Sequence, residues 1–300
     1  MKNRVVILGC GYVGLAIVKN LLAQGLEVYA LTRNEARIEE LKKMGVFTVS
    51  SRIDSTEWHN ELDPNIENVI DCVSAAESSV DGYRQSYYNG LKSILEWRTH
   101  SDKSSKGQSF IYTSSTSVYP QLDGSWVHEG SDVYHGDFER TNILLESEQL
   151  AVSLSSFFER CVVLRLAGIY GPKRHSLIQQ LKHGQIEFPG DGNSWLNLIH
   201  RQDIASAVEG ILKSDCSVHG IYNLTDNEKY TKKQIIEWTA EKLGIGSVSF
   251  SGKASSARRS FLPNGQMPNR RISNEKFKKQ FHWKPNYNSF MDGYLEILKQ

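Results

Sequence analysis

The stretch LGCGYVG places glycines at 9, 11 and 14, the spacing G-x-G-x-x-G. It follows the apolar run RVVIL and opens a segment with helical periodicity, the context in which such a turn holds a dinucleotide. Gly9 makes the tight turn, Gly11 lets the backbone approach a pyrophosphate, and Gly14 lets helix and strand pack closely. The N–H groups of Tyr12, Val13 and Gly14 then open the helix, where unpaired donors and the helix dipole favour a diphosphate. A site that selects NAD usually carries Asp or Glu about 20 residues further on. Here the chain reads ALTRN, and Arg33 offers a forked cation suited to a 2′-phosphate, so NADP is expected in preference to NAD. Asp54, in SRIDSTEW, stands where an acid would contact the adenine; the other reading is a turn-forming aspartate. About a hundred positions after the glycines, the hydroxyl-rich YTSSTSVYP looks made to touch a substrate.

The elements that must position these residues follow a regular alternation. Strands are expected at RVVIL, EVYALT, VFTVS, NVIDCVS and SFIYTSS, with helices over 12–24, 35–44, 80–100 and 137–158. Gly25 closes the first helix. Parallel strands joined by helices make a doubly wound α/β sheet. After Gly171 the alternation loosens into short segments and helices over 202–213 and 231–243. Residues 1–171 are therefore expected to form the dinucleotide-binding domain and 172–300 a smaller α/β substrate lobe, interleaved with the end of the sheet in one compact unit.

The chain has 300 residues, 39% hydrophobic and 23% charged, as expected of a soluble globular protein. Lys and Arg total 35 against 34 Asp and Glu, so no overall field favours nucleic acid or an anionic membrane. The balance is uneven locally: from 251 to 285 nine basic residues face the single acid Glu275, a segment suited to an anionic ligand. Cys10, Cys72, Cys161 and Cys216 show no C-x-x-C spacing, which points to a reduced, cytoplasmic protein. The opening MKNRVVILGCGYVGLAIV imitates a leader peptide, but its glycines mark it as the first strand and turn. Nine histidines without ligand spacing predict no metal site.

Five motifs in order resemble the extended short-chain dehydrogenase/reductase family, the NAD-dependent epimerase/dehydratase type. YTSSTSVYP is similar to its S-S-x-x-V-Y-G, VVLRLAGIYGPKR to its R-P-x-x-x-Y-G-P, and LNLIHRQDIASAV to its segment lining the cleft. GIYNLTDNEKYTKKQIIEWTAEKLG resembles its Y-N-h-G strand and helix, and RRISNEKFKKQFHWKPNY its closing basic segment. The resemblance implies a Rossmann-type domain with a small C-terminal lobe, and a homodimer through the helices over 80–100 and 137–158.

The family's chemistry rests on a Tyr-x-x-x-Lys pair in the long helix, in which Lys lowers the Tyr pKa for proton exchange with a substrate hydroxyl. At those positions the chain carries Arg140 and Leu144, neither of which can do this. Tyr88 with Lys92 is the one tyrosine with Lys at the fourth following position, and it lies before the serine strand. The chain thus reads as an atypical member. Ser115 matches the substrate-contacting serine, unless it only bonds its own backbone. Tyr134 and His135 are the candidate proton donors that precede the long helix. Lys173, Arg174, Arg270 and Arg271 would hold an anionic substrate, by similarity a nucleotide-activated sugar, and His200 lines the cleft or serves structure. Two functions stay open: an NADP(H)-dependent oxidoreductase or epimerase acting on a hydroxyl or carbonyl of a small polar substrate, and an inactive dinucleotide-binding sensor or scaffold.

Overall fold

The computed structural model describes residues 4–134, 136, 138–252 and 268–299. In chain order its elements begin β1 (Arg4–Leu8), α1 (Tyr12–Ala23), β2 (Glu27–Leu31), α2 (Glu35–Lys43), β3 (Phe47–Val49) and β4 (Asn68–Asp71). A helical segment follows as α3 (Val80–Tyr83), a π-helical turn (Arg84–Asn89) and α4 (Gly90–Thr99). Then come β5 (Gly107–Ser115), β6 (Trp126–Val127), α5 (Glu139–Ser153), β7 (Phe158–Leu166), β8 (Gly168–Tyr170), α6 (Ser176–Lys182), β9 (Glu187–Phe188), β10 (Trp195–Leu196) and β11 (Leu198–His200). The chain continues with α7 (Arg201–Leu212), β12 (Val218–Leu224), β13 (Tyr230–Thr231), α8 (Lys232–Lys242), β14 (Ser249–Phe250), β15 (Arg271–Ile272), α9 (Glu275–Phe281) and α10 (Phe290–Leu298).

Seven strands form one sheet in the order β12-β7-β5-β4-β1-β2-β3, every pair parallel, so the expected doubly wound sheet is present. From β1 the chain winds outward through β2 and β3, and from β4 in the other direction. The crevice at the carboxyl ends of β1 and β4 is therefore the switch point where such sheets bind ligands. The central strands are apolar because both faces are covered. One face packs α1 and α7 around Ile7, Ile17, Ile111 and Val208, all fully buried. The other packs α4 and α5 around Trp58, Trp97, Phe110 and Phe158. Each such side chain contributes about 1.5–3 kcal/mol through its burial.

Two helices differ from their periodicity. α5 ends at Ser153, and Leu154–Ser156 tighten into a 3-10 turn, because Phe158 is already paired with Gly107 as the first residue of β7. The helix over 80–100 widens into a π turn at 84–89, which sets Tyr87 where its hydroxyl accepts the N–H of Ala75 in the loop after β4.

Candidate functional site

The glycine turn is built by strand ends. Gly9 has φ of 83°, and a Cβ there would lie 2.6 Å from the backbone of Val73, just past β4. A Cβ on Gly14 would meet the Gly9 carbonyl at 2.8 Å, so the third glycine does allow the close packing read from its position. Around Gly11 a Cβ would meet nothing within 4 Å, which leaves open space beside the backbone. α1 has no side-chain cap and no acid in its first turn, so its leading N–H groups face that space unpaired by side chains. This arrangement fits a dinucleotide pyrophosphate.

Tyr12 turns away from this space. Its hydroxyl donates to the Pro172 carbonyl at 3.0 Å, and the Arg174 and Arg201 guanidinium carbons lie 5.5 and 4.8 Å from its ring centroid. Arg174 thus sits beside the glycine turn, and Lys173 adopts a left-handed φ of 66° in the same loop. Neighbouring Gly9 and Gly11, a cavity of about 470 Å³ is lined by Arg33, Arg52, Asp54 and Gln85. Arg33 is exposed and forms no ion pair among the described residues. Asp54 is gripped by Arg52, with Nε to Oδ1 at 2.9 Å and Nη2 to Oδ2 at 2.8 Å, and this contact holds its carboxyl below the usual range.

At the far side of the crevice, Ser115 ends β5 half-buried, and its Oγ accepts the Ser117 N–H at 3.1 Å. The local bond that the sequence offered as the alternative role is therefore made, and the hydroxyl proton stays available to a substrate. Arg270 reaches the next residue: its Nη2 donates to the Thr116 carbonyl at 2.7 Å. Arg270 is only 8% exposed, yet its Nε and Nη1 have no partner among the described residues. Burial pushes its pKa down to about 10, and no carboxylate of the described residues pairs with it to offset the cost. Arg271 points elsewhere, its Nε donating to the Gly124 carbonyl and its guanidinium carbon 5.1 Å from the ring centroids of both Trp126 and Trp195.

Beneath Ser115 lies a network that sequence reasoning missed. Ser114 Oγ donates to Glu148 at 2.6 Å, Arg165 pairs with the same carboxylate at 2.6 Å, and Tyr119 links Arg165 to Asn223. The signal was available in VVLRL, since an arginine inside a fully buried strand requires a partner.

On α5, Arg140 donates to the Ser78 carbonyl at 3.1 Å, and Leu144 packs into a cluster with Val118 and Tyr119. Tyr134 is anchored through its N–H to the Val118 carbonyl at 2.8 Å, with its ring edge-on to Phe138. His135 lies outside the described residues, as do Lys253, Arg258 and Arg259 of the basic segment. Lys92 Nζ rests 5.5 Å from the Tyr88 ring centroid, on the segment formed by the π turn and α4. His200 is 2% exposed and caps α7 through Nδ1, which accepts the Gln202 N–H. Burial pushes its pKa down to about 4, so it is neutral near pH 7 and does not act as a cation toward an anionic substrate. Among the described residues no group of three His, Cys, Asp or Glu is placed to hold a metal, and no helix is long and apolar enough to cross a membrane.

With this geometry in view, the match to known proteins is specific. The model of the NAD dependent epimerase/dehydratase family covers residues 5–225, and the chain belongs to that family. Sterol-4-alpha-carboxylate 3-dehydrogenase, decarboxylating, of Dictyostelium discoideum is 22% identical over 260 residues, which is 82% of this chain and 78% of that protein. Protein YeeZ of Escherichia coli strain K12 is 23% identical over 282 residues, 89% of this chain and 93% of its own. UDP-glucuronic acid 4-epimerase from Bacillus cereus, solved with UDP-glucuronic acid and NAD, superposes with a TM-score of 0.77 at 18% identity, covering 99% of each chain. These findings support an oxidoreductase or epimerase type of protein with a nicotinamide dinucleotide as its cofactor.

Proposed function

We propose that the protein is an NADP(H)-dependent oxidoreductase or epimerase acting on a hydroxyl or carbonyl of a small anionic substrate, of the nucleotide-sugar class. The observation that carries this reading is Arg270: a buried guanidinium with two nitrogens unpartnered among the described residues, bonded to the residue next to Ser115. An uncompensated buried charge is costly, and a substrate phosphate would offset that cost. Arg33, free at the other end of the crevice, supports NADP over NAD. In this reading most of residues 172–300 act as the substrate lobe.

The cofactor, when bound, supplies the hydride chemistry. The chain's own residues orient and balance charge. Ser115 donates a hydrogen bond from its hydroxyl to the reacting oxygen and so orients it, and the bond from Ser117 N–H fixes its rotamer. The Glu148–Arg165 pair holds β5 and β7 rigid beneath it. Arg270 anchors the substrate's anionic group, which places the reacting carbon over the crevice. Proton transfer falls to Tyr134, His135 or water, because Arg140 and Leu144 cannot perform it. The same reading includes a homodimer through the helical segment 80–99 and α5; a monomer mass in sedimentation equilibrium would remove that part.

The second reading, a dinucleotide-binding sensor or scaffold, is favoured by Arg140 and Leu144 alone. Purified protein with NADPH or NADP⁺ should change the near-ultraviolet absorbance of the reduced nicotinamide when nucleotide-sugars such as UDP-glucuronic acid are added. If no member of a broad panel of such sugars and simple alcohols or carbonyls changes that band, and no nucleotide-sugar is converted to an epimer by the cofactor-loaded protein, the enzyme reading fails.

A further inference from the structure

Resting on the NADP reading above, we infer that Arg52 forms a second cationic contact to the cofactor's 2′-phosphate, and that Asp54 serves to position Arg52. The sheet register brings the ends of the two strands that carry them together. Leu31 of β2 pairs with Val49 of β3, and the Thr32 N–H continues the ladder to the Val49 carbonyl at 3.1 Å. The chain therefore leaves both strands in parallel, with Arg33 two residues beyond one and Arg52 three beyond the other. Both line the same cavity as Gly9 and Gly11, where the adenosine half of a dinucleotide held at the glycine turn would lie.

Arg52 is also held in place. Asp54 takes its Nε and Nη2 in a forked pair, and Nη2 donates further to Gln85 Oε1 at 3.0 Å on the helical segment across the cavity. This leaves Nη1 without a protein acceptor among the described residues. Such a grip contributes little to stability, because the Arg52 side chain is 50% exposed and exposed ion pairs are worth about 0–1 kcal/mol. Its value lies in orientation: with Nε and Nη2 held, the remaining donor Nη1 loses less entropy on meeting a phosphate than one on a free side chain. Glu77 lines the cavity as well, but it comes from the loop after β4 and not from the ends of β2 and β3. With Asp54 neutralised by Arg52, Arg33 brings the unpaired positive charge and Arg52 the directed donor.

Calorimetric titrations with NADP⁺ and NAD⁺ test this, because the two ligands differ only in the 2′-phosphate. Arg52→Ala should weaken NADP⁺ about ten- to a hundredfold, the worth of a charged hydrogen bond, and leave NAD⁺ nearly unchanged. Asp54→Asn should weaken NADP⁺ by a smaller factor with little change in melting temperature. Equal losses for both ligands, or none for either, would overturn the role of Arg52 while the wild-type preference for NADP⁺ kept the underlying reading intact. A wild-type protein that binds the two ligands equally would overturn both.

Discussion

Two buried arginines flank the serine strand, and they are held in opposite ways. Arg165 has a side chain only 4% exposed and meets the Glu148 carboxylate, itself 2% exposed, along with the Tyr119 hydroxyl. Arg270 is nearly as buried but has, among the described residues, one carbonyl acceptor and no acid. The first charge is balanced inside the fold and belongs to the scaffold. Among the described residues the second has no counter-charge, and in the proposed reading a substrate phosphate balances it; this difference is what the predictions below test.

The largest expected effect comes from breaking the balanced pair. Glu148→Ala should destabilise the protein by about 3–5 kcal/mol in chemical denaturation, since it strands the Arg165 charge. Arg270→Met should act in the reverse sense: stability within about 1 kcal/mol of wild type or above it, because an unpaired buried charge is replaced by an apolar chain of similar length. A large loss of stability in Arg270→Met would make Arg270 part of the scaffold. Ser115→Ala should lower turnover about tenfold, the worth of one hydrogen bond, without weakening NADPH, as read by cofactor fluorescence. A loss of cofactor affinity instead would move that serine to the nucleotide site.

The smallest effect concerns His200, which is neutral in the fold with its pKa pushed down to about 4 from the ordinary 6.5. The unfolded chain binds the proton first on acidification, so this residue's contribution is complete above 6.5 and is lost as pH falls toward 4. His200→Asn keeps a cap acceptor and removes the titration. The stability gap between wild type and variant should therefore shift in the variant's favour from neutral to acidic pH; a gap that does not change with pH would contradict neutral burial.

What could be read from the chain was local. LGCGYVG announced its turn because strand, glycines and helix are contiguous, and the winding of the sheet followed from strands alternating with helices. Ser115 and Arg270 were also legible as candidates, through motif order. Their association was not: Arg270 lies 154 positions from Thr116, and no periodicity reports such a contact. The grip of Asp54 on Arg52 is nearly local, but its link to Gln85 spans 33 positions and depends on the path of the helical segment. The Glu148–Arg165 pair bridges α5 and β7, so only its arginine, stranded in an apolar run, gave notice of it. The π turn left no mark in the pattern, since a widened turn alters spacing by one residue within a sequence that still reads as helix.

The direct test of the central claim is calorimetric titration of UDP, which carries the diphosphate without the sugar, into NADPH-loaded wild type and Arg270→Met. UDP should bind saturably to wild type and about ten- to a hundredfold more weakly to the variant, with NADPH affinity unchanged. Equal binding to both proteins, or to neither, would contradict the view that the unpaired arginine awaits a substrate phosphate.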